Sequence, residues 1–200
     1  GDTTSSPILS ISVTVIGYRP AKSDKMLRHS GRIGDDIWVS GYIGSAGLAL
    51  ALLLEGKEIS ETLAQALHRP QPRVQLGQRL LPHIHAAMDI SDGLLGDLTH
   101  ILQASGNLGA ELSWEAVPML RDVRDWAEEA AHLPLVAGDD YELLFTAPRE
   151  SRDLLLRLSA SVGVAICHIG QLTEKEGISI TKGGQALHLP NQLGFDHFQS

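Results

Sequence analysis

The segment that most constrains the fold is AAMDISDGLLGDLTHIL, residues 86–102, which joins a strand-like run to a helix-like run. After Ser91, apolar residues recur at the three- and four-residue spacing that places side chains on one face of a helix. They are Leu94, Leu95, Leu98, Ile101 and Leu102. Asp97 and His100 are predicted on the opposite face of this helix. Strands followed by amphipathic helices are the building units of layered α/β domains.

Two carboxylates, Asp89 and Asp92, stand at this strand-to-helix junction with Ser91 between them. An Asp or Ser there commonly caps the helix, because the first helical N–H groups have no partner within the helix. Asp89 lies three residues earlier, where it cannot serve the same cap. Like charges repel unless a cation lies between them, and Mg²⁺ takes oxygen ligands and often accompanies phosphate groups. The junction therefore predicts either a simple cap or a metal–phosphate site at the helix N-terminus.

Two further segments combine acidic residues with glycine. GDTT, residues 1–4, is typical of a turn or of a metal–phosphate loop. AGDDYELLFT, residues 137–146, is typical of a turn followed by a strand in which Tyr141, Leu143 and Phe145 alternate with Glu142. By itself, this second segment needs no function beyond a turn and one solvated glutamate.

The remainder of the chain alternates strand-like and helix-like segments, which predicts an α/β (α+β layered) domain over residues 27–200. Helices are predicted from Ser45, as N-cap, to a stop at Gly56, from Ser60 to Leu67, near 119–131 and near 150–159. Strands are predicted at DIWVSG, IHAAM, AELSW, YELLFTA, AICHIG and GISIT. RPQPR, residues 69–73, is either a rigid connector or a phosphate-positioning pair of arginines.

The first residues have a different pattern from this domain. PILSISVTVIG, from Pro7 to Gly17, alternates apolar and hydroxyl-bearing residues and predicts a half-buried strand. A strand this early needs partners, so residues 1–17 are interpreted as the end of a preceding domain and residues 18–26 as a linker. The chain begins at Gly1 without a methionine, and we expect an N-terminal part to precede it.

Composition excludes several classes of function. The chain has 24 acidic and 16 basic residues and a formal net charge of −8, which argues against nucleic acid as a partner. A single cysteine excludes an intrachain disulfide framework. No apolar run approaches the roughly 20 residues that span a bilayer, so no membrane association and a cytoplasmic location are expected.

Six motifs, in order, resemble the thiamine-monophosphate kinase family of the aminoimidazole ribonucleotide synthetase superfamily. They are GDTTSSP, SGRIGDDIWVSGYIGSAGLAL, HRPQPR, AAMDISDGLLGDLTHI, AGDDYELLF and GFDHF. The resemblance implies the C-terminal domain of the aminoimidazole ribonucleotide synthetase-like fold, preceded by a remnant strand of the N-terminal domain. It also implies transfer of the ATP γ-phosphoryl group to thiamine monophosphate by direct in-line displacement, with several Mg²⁺ ions. Family members pair through their N-terminal domains, so a homodimer is expected.

The resemblance also assigns roles to individual residues. The implied metal ligands are Asp2, Asp89 and Asp92. The implied ATP contacts are Gly1, Asp2 and Ser91, together with either Arg28 or His29, because His29 stands where the family usually has arginine. The implied contacts to the thiamine substrate are Glu142 and Phe195. Two other interpretations stay open: another ATP-dependent synthetase of the superfamily, or a catalytically inactive binding or assembly module.

Overall fold

The computed structural model describes residues 8–9, 11–17, 26–128, 130–190 and 193–194. The strands in these ranges are β1 (Asp36–Ser40), β2 (Ala86–Asp89), β3 (Gly109–Ser113), β4 (Leu143–Ala147), β5 (Ile166–Thr173), β6 (Gly177–Lys182) and β7 (Gln185–Ala186). The α-helices are α1 (Ser45–Leu54), α2 (Glu61–His68), α3 (Val74–Leu80), α4 (Leu94–Ala104), α5 (Arg121–Trp126), α6 (Leu133–Val136) and α7 (Arg152–Val162). The prediction of an α/β layered domain is confirmed.

All the strands join one mixed sheet in the order β2-β4-β1-β5-β3-β6-β7. Strand β1 pairs antiparallel with β4 and with β5, and β2 pairs antiparallel with β4. The pairing of β3 with β6 is parallel. Strand β2, which leads into the acidic junction, therefore lies at an edge of the sheet, directly beside the strand that follows GDDY.

Helices pack on both faces of the sheet. Successive side chains along each strand point to opposite faces, so a strand can contribute apolar residues to both helix layers. Ile37 and Val39 of β1 join the larger apolar cluster with α1, α2 and α4, whereas Trp38 between them points to the smaller cluster with α3 and α7. Leu144 and Phe145 of β4 divide in the same way. The rings of Trp38 and Phe145 stack with centroids 6.3 Å apart. The two apolar clusters pack against both faces of the sheet and so position its edge strand β2, which leads into the acidic junction.

Several helix boundaries differ from the prediction. Ser45 is the first residue of α1 and not its cap, because the cap is Gly44 with a left-handed backbone. Ser60 does cap α2, since its hydroxyl accepts a hydrogen bond from the N–H of Leu63. The helix predicted near 119–131 is shorter, and α3 and α6 were not predicted. Within the described ranges, no helix is long and apolar enough to cross a membrane.

The predicted strand from Pro7 to Gly17 was wrong for the part that the structure describes. Residues 11–17 belong to no strand, and Ile11, Val13 and Val15 are each more than three-quarters exposed. A strand persists only when its backbone groups find a neighbouring strand. The interpretation of residues 1–17 and 18–26 as domain end and linker stays a prediction.

Candidate active site

The junction between β2 and α4, which we call the acidic loop (residues 89–93), is held by Asp97 in the first turn of α4. The Oδ2 atom of Asp97 accepts hydrogen bonds from the backbone N–H groups of Ser91, at 2.9 Å, and Asp92, at 3.0 Å. Asp97, which was predicted on the helix face opposite the apolar residues, is only 1% exposed. Burial chiefly raises the pKa of Asp97, and the charges of Asp92 and Asp89 raise it further, whereas the two hydrogen bonds lower it.

The segment GDDY, residues 138–141, runs beside the acidic loop and is hydrogen-bonded to it. The N–H of Asp139 donates to the carbonyl of Ser91 at 2.9 Å, and the N–H of Tyr141 donates to the carbonyl of Ile90 at 2.7 Å. The N–H of Ile90 donates in return to the carbonyl of Glu142 at 2.8 Å. These bonds continue the β2–β4 contact past the end of the sheet and bring the two acidic motifs together.

The predicted strand YELLFTA begins two residues later than expected, at Leu143. Asp139 and Tyr141 both have positive φ angles, 68° and 50°, which a strand cannot accommodate. A non-glycine residue in this region costs on the order of 1–3 kcal/mol, and such residues cluster at functional sites. The strained backbone turns Tyr141 outward, and its side chain is 44% exposed.

Glu142 is buried and paired, in contrast to the solvated glutamate that the strand pattern predicts. Arg73 binds both of its oxygens, with Nε 2.7 Å from Oε2 and Nη2 2.5 Å from Oε1. The hydroxyl of Ser40 also donates to Oε2 at 2.6 Å and accepts from the N–H of Leu143 at 2.8 Å. A bidentate arginine–carboxylate pair in a mostly desolvated place is a rigid group. RPQPR was interpreted as a rigid connector or as a pair of phosphate-positioning arginines. In the structure, Arg73 of this motif binds the carboxylate of Glu142.

Asp140 is the second buried carboxyl of the segment. Its Oδ2 accepts a hydrogen bond from the N–H of Gly44 at 2.7 Å, so it caps the N-terminus of α1 from a distant part of the chain. Its Oδ1 and the hydroxyl of Ser45 are both buried, with no hydrogen-bond partner among the described residues. Burial raises the pKa of Asp140 to about 7, and the nearby charge of Glu142 adds to the increase.

Two clefts meet at these motifs. The apolar cleft, of about 580 Å³, is lined by Met26, Pro70, Pro72, Arg73, Val74, Gly77, Gln78, Leu81, Asp89, Tyr141 and Leu143. The acidic cleft, of about 930 Å³, is lined by Gly47, Leu50, Ala51, Leu54, Ser91, Asp92, His132, Val136, Ala137, Gly138, Asp139, Tyr141, Pro190 and Gly194. The acidic loop therefore contributes to both clefts, with Asp89 in one and Asp92 in the other.

The structure brings together some of the predicted site residues and separates others. Asp89, Ser91 and Asp92 lie together beside GDDY and Glu142. Gly1, Asp2 and Phe195 lie outside the described residues, so their predicted roles are untested. In the part of the chain that the structure describes, no three His, Cys, Asp or Glu side chains form a cluster that could hold a metal ion.

Arg28 and His29 are both exposed and lie near the other end of α4. The carbonyl of Arg28 accepts a hydrogen bond from the hydroxyl of Ser105, the C-cap residue directly after α4. An 11-residue helix is roughly 16 Å long, so this backbone is anchored well away from the helix start beside Ser91. The structure does not bring Arg28 or His29 together with the acidic loop, and their ATP contact stays a prediction.

Sequence reasoning did not assign Asp97 or Asp140 to the site, and it left Arg73 open between a rigid connector and a phosphate-positioning pair. Asp97 had a usable signal, because an Asp in the first turn of a helix can accept hydrogen bonds from the preceding loop. The pairings of Arg73 with Glu142 and of Asp140 with Gly44 had no local signal, because the partners are distant in the sequence.

Fold and site together define an α/β domain with an acidic strand-to-helix loop between two clefts. The family described as "AIR synthase related protein, C-terminal domain" matches residues 32–183. The chain belongs to this family, and the resemblance seen in its motifs is confirmed at that level. The fold is of the AIR synthase-like type.

The chain is also similar to particular kinases. It is 36% identical to thiamine-monophosphate kinase of Haemophilus influenzae, over all of this chain and 62% of that protein. The crystal structure of thiamine-monophosphate kinase from Stenotrophomonas maltophilia K279a is 38% identical, with a TM-score of 0.73 over 80% of this chain and 54% of that one. The structure of AaThiL complexed with AMPPCP and TMP is 31% identical, with a TM-score of 0.68 over 86% of this chain and 54% of that one. The chain thus spans about three-fifths of the length of the curated relatives that it matches.

Proposed function

We propose that the protein containing this chain transfers the γ-phosphoryl group of ATP to the phosphate of thiamine monophosphate, giving thiamine diphosphate and ADP. The bond between the γ-phosphorus and the β,γ-bridging oxygen breaks, and a bond from the γ-phosphorus to a phosphate oxygen of thiamine monophosphate forms. The observation that carries the proposal is the position of the acidic loop, since Asp89 lines one cleft and Asp92 lines the other. The named kinases to which the chain is similar support the same reaction.

On the donor side, we assign ATP to the acidic cleft. Ser91 and Asp92 line it at the start of α4, where backbone N–H groups and a hydroxyl favour phosphate oxygens. Leu50 and Leu54 of α1, which are 42% and 80% exposed, line the same cleft and offer an apolar surface to a flat base.

On the acceptor side, we assign thiamine monophosphate to the apolar cleft. Its prolines and Leu143 suit the rings of thiamine, and Arg73 places the paired carboxylate of Glu142 close to this cleft. Because both oxygens of Glu142 are already bound, we infer that Glu142 and Arg73 act on the substrate as one rigid pair. Phe195 is proposed as a further ring contact.

The oxygen donors at the acidic loop fit Mg²⁺, which binds proteins through one or two carboxylates and completes its coordination with water and substrate phosphates. Asp89 and Asp92 are the described residues that would hold it, with Asp2 proposed as a third ligand. When bound, the cation would offset negative charge on the phosphate oxygens. Asp97 fixes the backbone at Ser91 and Asp92, so this part of the acidic loop is positioned before any ligand binds.

The proposal is tested by measuring thiamine diphosphate formation from ATP, Mg²⁺ and thiamine monophosphate with the protein as its gene encodes it. Asp89→Asn keeps the size of the side chain and removes its charge. We expect kcat to fall at least about 100-fold, as when a contact to transition-state charge is lost, while the protein still folds.

Asp153→Asn is the matched control, because Asp153 is an exposed aspartate in the first turn of α7. It should keep the wild-type kcat. Absence of product from the wild-type protein would refute the proposed reaction, whereas a normal kcat in Asp89→Asn at saturating Mg²⁺ would refute only the metal assignment.

A further inference from the structure

Tyr141 is the one residue of the GDDY segment that lines both clefts. Its side chain is 44% exposed although its neighbours Asp140 and Glu142 are buried. Tyrosine combines an apolar ring with a polar hydroxyl, and such side chains are enriched at surfaces that bind partners. Its position between the two clefts places its side chain within reach of a ligand in either one.

The backbone of Tyr141 gives a second, independent observation. Tyrosine rarely adopts a φ of 50°, and the residue two positions earlier, Asp139, is in the same region with a φ of 68°. Hydrogen bonds from both backbone N–H groups to the acidic loop hold the segment in this conformation. An asparagine would adopt it more readily. Because strain of this kind is retained where a side chain must be held in a particular place, it indicates a role for the ring.

The phenol of Tyr141 is available to a ligand. Its hydroxyl lies 3.4 Å from Oδ1 of Asp139, well beyond the usual O–H···O distance, so this bond is weak. Burial first, and then the neighbouring carboxylates of Asp139, Asp89 and Asp92, raise the pKa of Tyr141 above its ordinary value. The group is therefore a neutral O–H donor near pH 7, and a phosphate oxygen is a stronger acceptor than a distant carboxylate.

We propose that Tyr141 is a ligand-binding residue that forms the shared wall of the two clefts and donates a hydrogen bond from its phenol to a phosphate oxygen where the clefts meet. This inference rests on the proposed function, since it places the donor and acceptor phosphates on the two sides of one side chain. The ring keeps the two ligands in separate clefts and aligned, while the phenol contacts the phosphate groups that react. Alignment of this kind contributes strongly to phosphoryl transfer.

The experiment uses three variants of the protein as its gene encodes it. Tyr141→Phe keeps the ring and removes the hydroxyl. Tyr141→Ala and Tyr141→Asn both remove the ring, but only asparagine tolerates the left-handed backbone. For each variant, kcat and both KM values are measured for thiamine diphosphate formation, and Tm is measured by thermal unfolding.

We expect Tyr141→Phe to lower kcat/KM by about 10- to 100-fold, as when one hydrogen bond to a charged group is lost, with Tm nearly unchanged. The alanine and asparagine variants should each lose more activity than the phenylalanine variant, with KM raised for both ligands. The losses in the alanine and asparagine variants should agree within about twofold. Their Tm values should differ, with asparagine higher by about 2–4 °C because its backbone strain is lower.

Two results would overturn the inference. One is activity that follows Tm, with the asparagine variant clearly more active than the alanine variant, since the ring would then act only on the fold. The other is a phenylalanine variant with the kcat and KM values of the wild type, which would remove the phenol from the site. Neither result resembles failure of the proposed function, in which the wild-type protein itself forms no thiamine diphosphate.

Discussion

Replacement of Asp140 with asparagine isolates the energetic effect of one buried carboxyl group beside the candidate site. Asparagine has the same shape, and its side-chain oxygen can accept the hydrogen bond that Oδ2 of Asp140 accepts from the N–H of Gly44. The substitution removes the ability to ionise. Its effect on stability should therefore depend on pH, whereas an effect on packing alone would not.

The magnitude follows from the pKa. Burial raises the pKa of Asp140 from 3.8 to about 7. A difference of about three pK units, at roughly 1.4 kcal/mol each, corresponds to on the order of 4 kcal/mol of unfolding free energy. This is a large part of the stability of an ordinary domain, which is about 5–15 kcal/mol.

The sign is set by which state holds the proton. Between about pH 4 and pH 7, the folded protein keeps the proton on Asp140 while the unfolded chain releases it. The stability that comes from the neutral carboxyl is complete below about pH 4 and is lost as the pH rises to about 7. The asparagine side chain has no proton to release, so the Asp140→Asn variant gains stability relative to the wild type by on the order of 4 kcal/mol over this window.

The measurement is urea unfolding of both proteins at several pH values from about 4 to about 8, followed by tryptophan fluorescence. The difference between the two unfolding free energies at each pH removes the titration of all other groups. Ser45→Ala is the control, because its hydroxyl is also buried without a hydrogen-bond partner among the described residues but does not titrate. Its effect should be small and independent of pH. Parallel curves for Asp140→Asn and wild type would refute the reasoning and show that the carboxyl ionises normally in the folded state.

The remaining predictions separate the two proposed substrates. Phe195→Ala should raise KM for thiamine monophosphate with little change in KM for ATP, because only the proposed ring contact to the acceptor would be removed. Steady-state kinetics with the opposite pattern would place Phe195 on the nucleotide side. For Arg28 and His29, each alanine variant is compared in ATP titrations, and the residue that contacts ATP should raise KM for ATP without changing KM for thiamine monophosphate. If neither variant does so, the predicted ATP contact of Arg28 or His29 is wrong, in agreement with the anchoring of Arg28 near the far end of α4.

The fold could be predicted well where local periodicity decides structure. The strand DIWVSG and the helix after Ser91 were both found, because alternation and helical spacing reflect burial on one face. Helix α3 was missed because VQLGQRL is short and follows two prolines, so its helical conformation depends on Leu76 and Leu80 packing into the smaller core. The predicted strand was wrong over the described residues 8–9 and 11–17, because alternation records only a preference and a partner strand decides whether it is realised.

The candidate site could be predicted in part, for a similar reason. Asp89, Ser91 and Asp92 are neighbours in the sequence, so their convergence needed no tertiary information. The environment of Glu142 did need it, because the strand pattern gave a solvated side chain and the structure gives a buried ion pair with Arg73. Alternation along a strand assumes that the strand exists, but the positive φ angles at Asp139 and Tyr141 delay its start to Leu143, so Glu142 lies outside it.

The motif SGYIGSAG, residues 40–47, has a physical explanation in its contacts with the segment at residues 137–142. The hydroxyl of Ser40 binds Glu142, and a Cβ at Gly41 would overlap the carboxylate of the same residue. The N–H of Gly44 binds Asp140, and a Cβ at Gly47 would overlap the side chain of Ala137. The contacts of this motif with Glu142, Asp140 and Ala137 therefore recur about every three residues, at the end of β1 and along the first turns of α1. The motif thus forms the surface against which the segment at residues 137–142 packs. These contacts explain why two motifs nearly 100 residues apart lie in one site, although SGYIGSAG contributes no charged side chain.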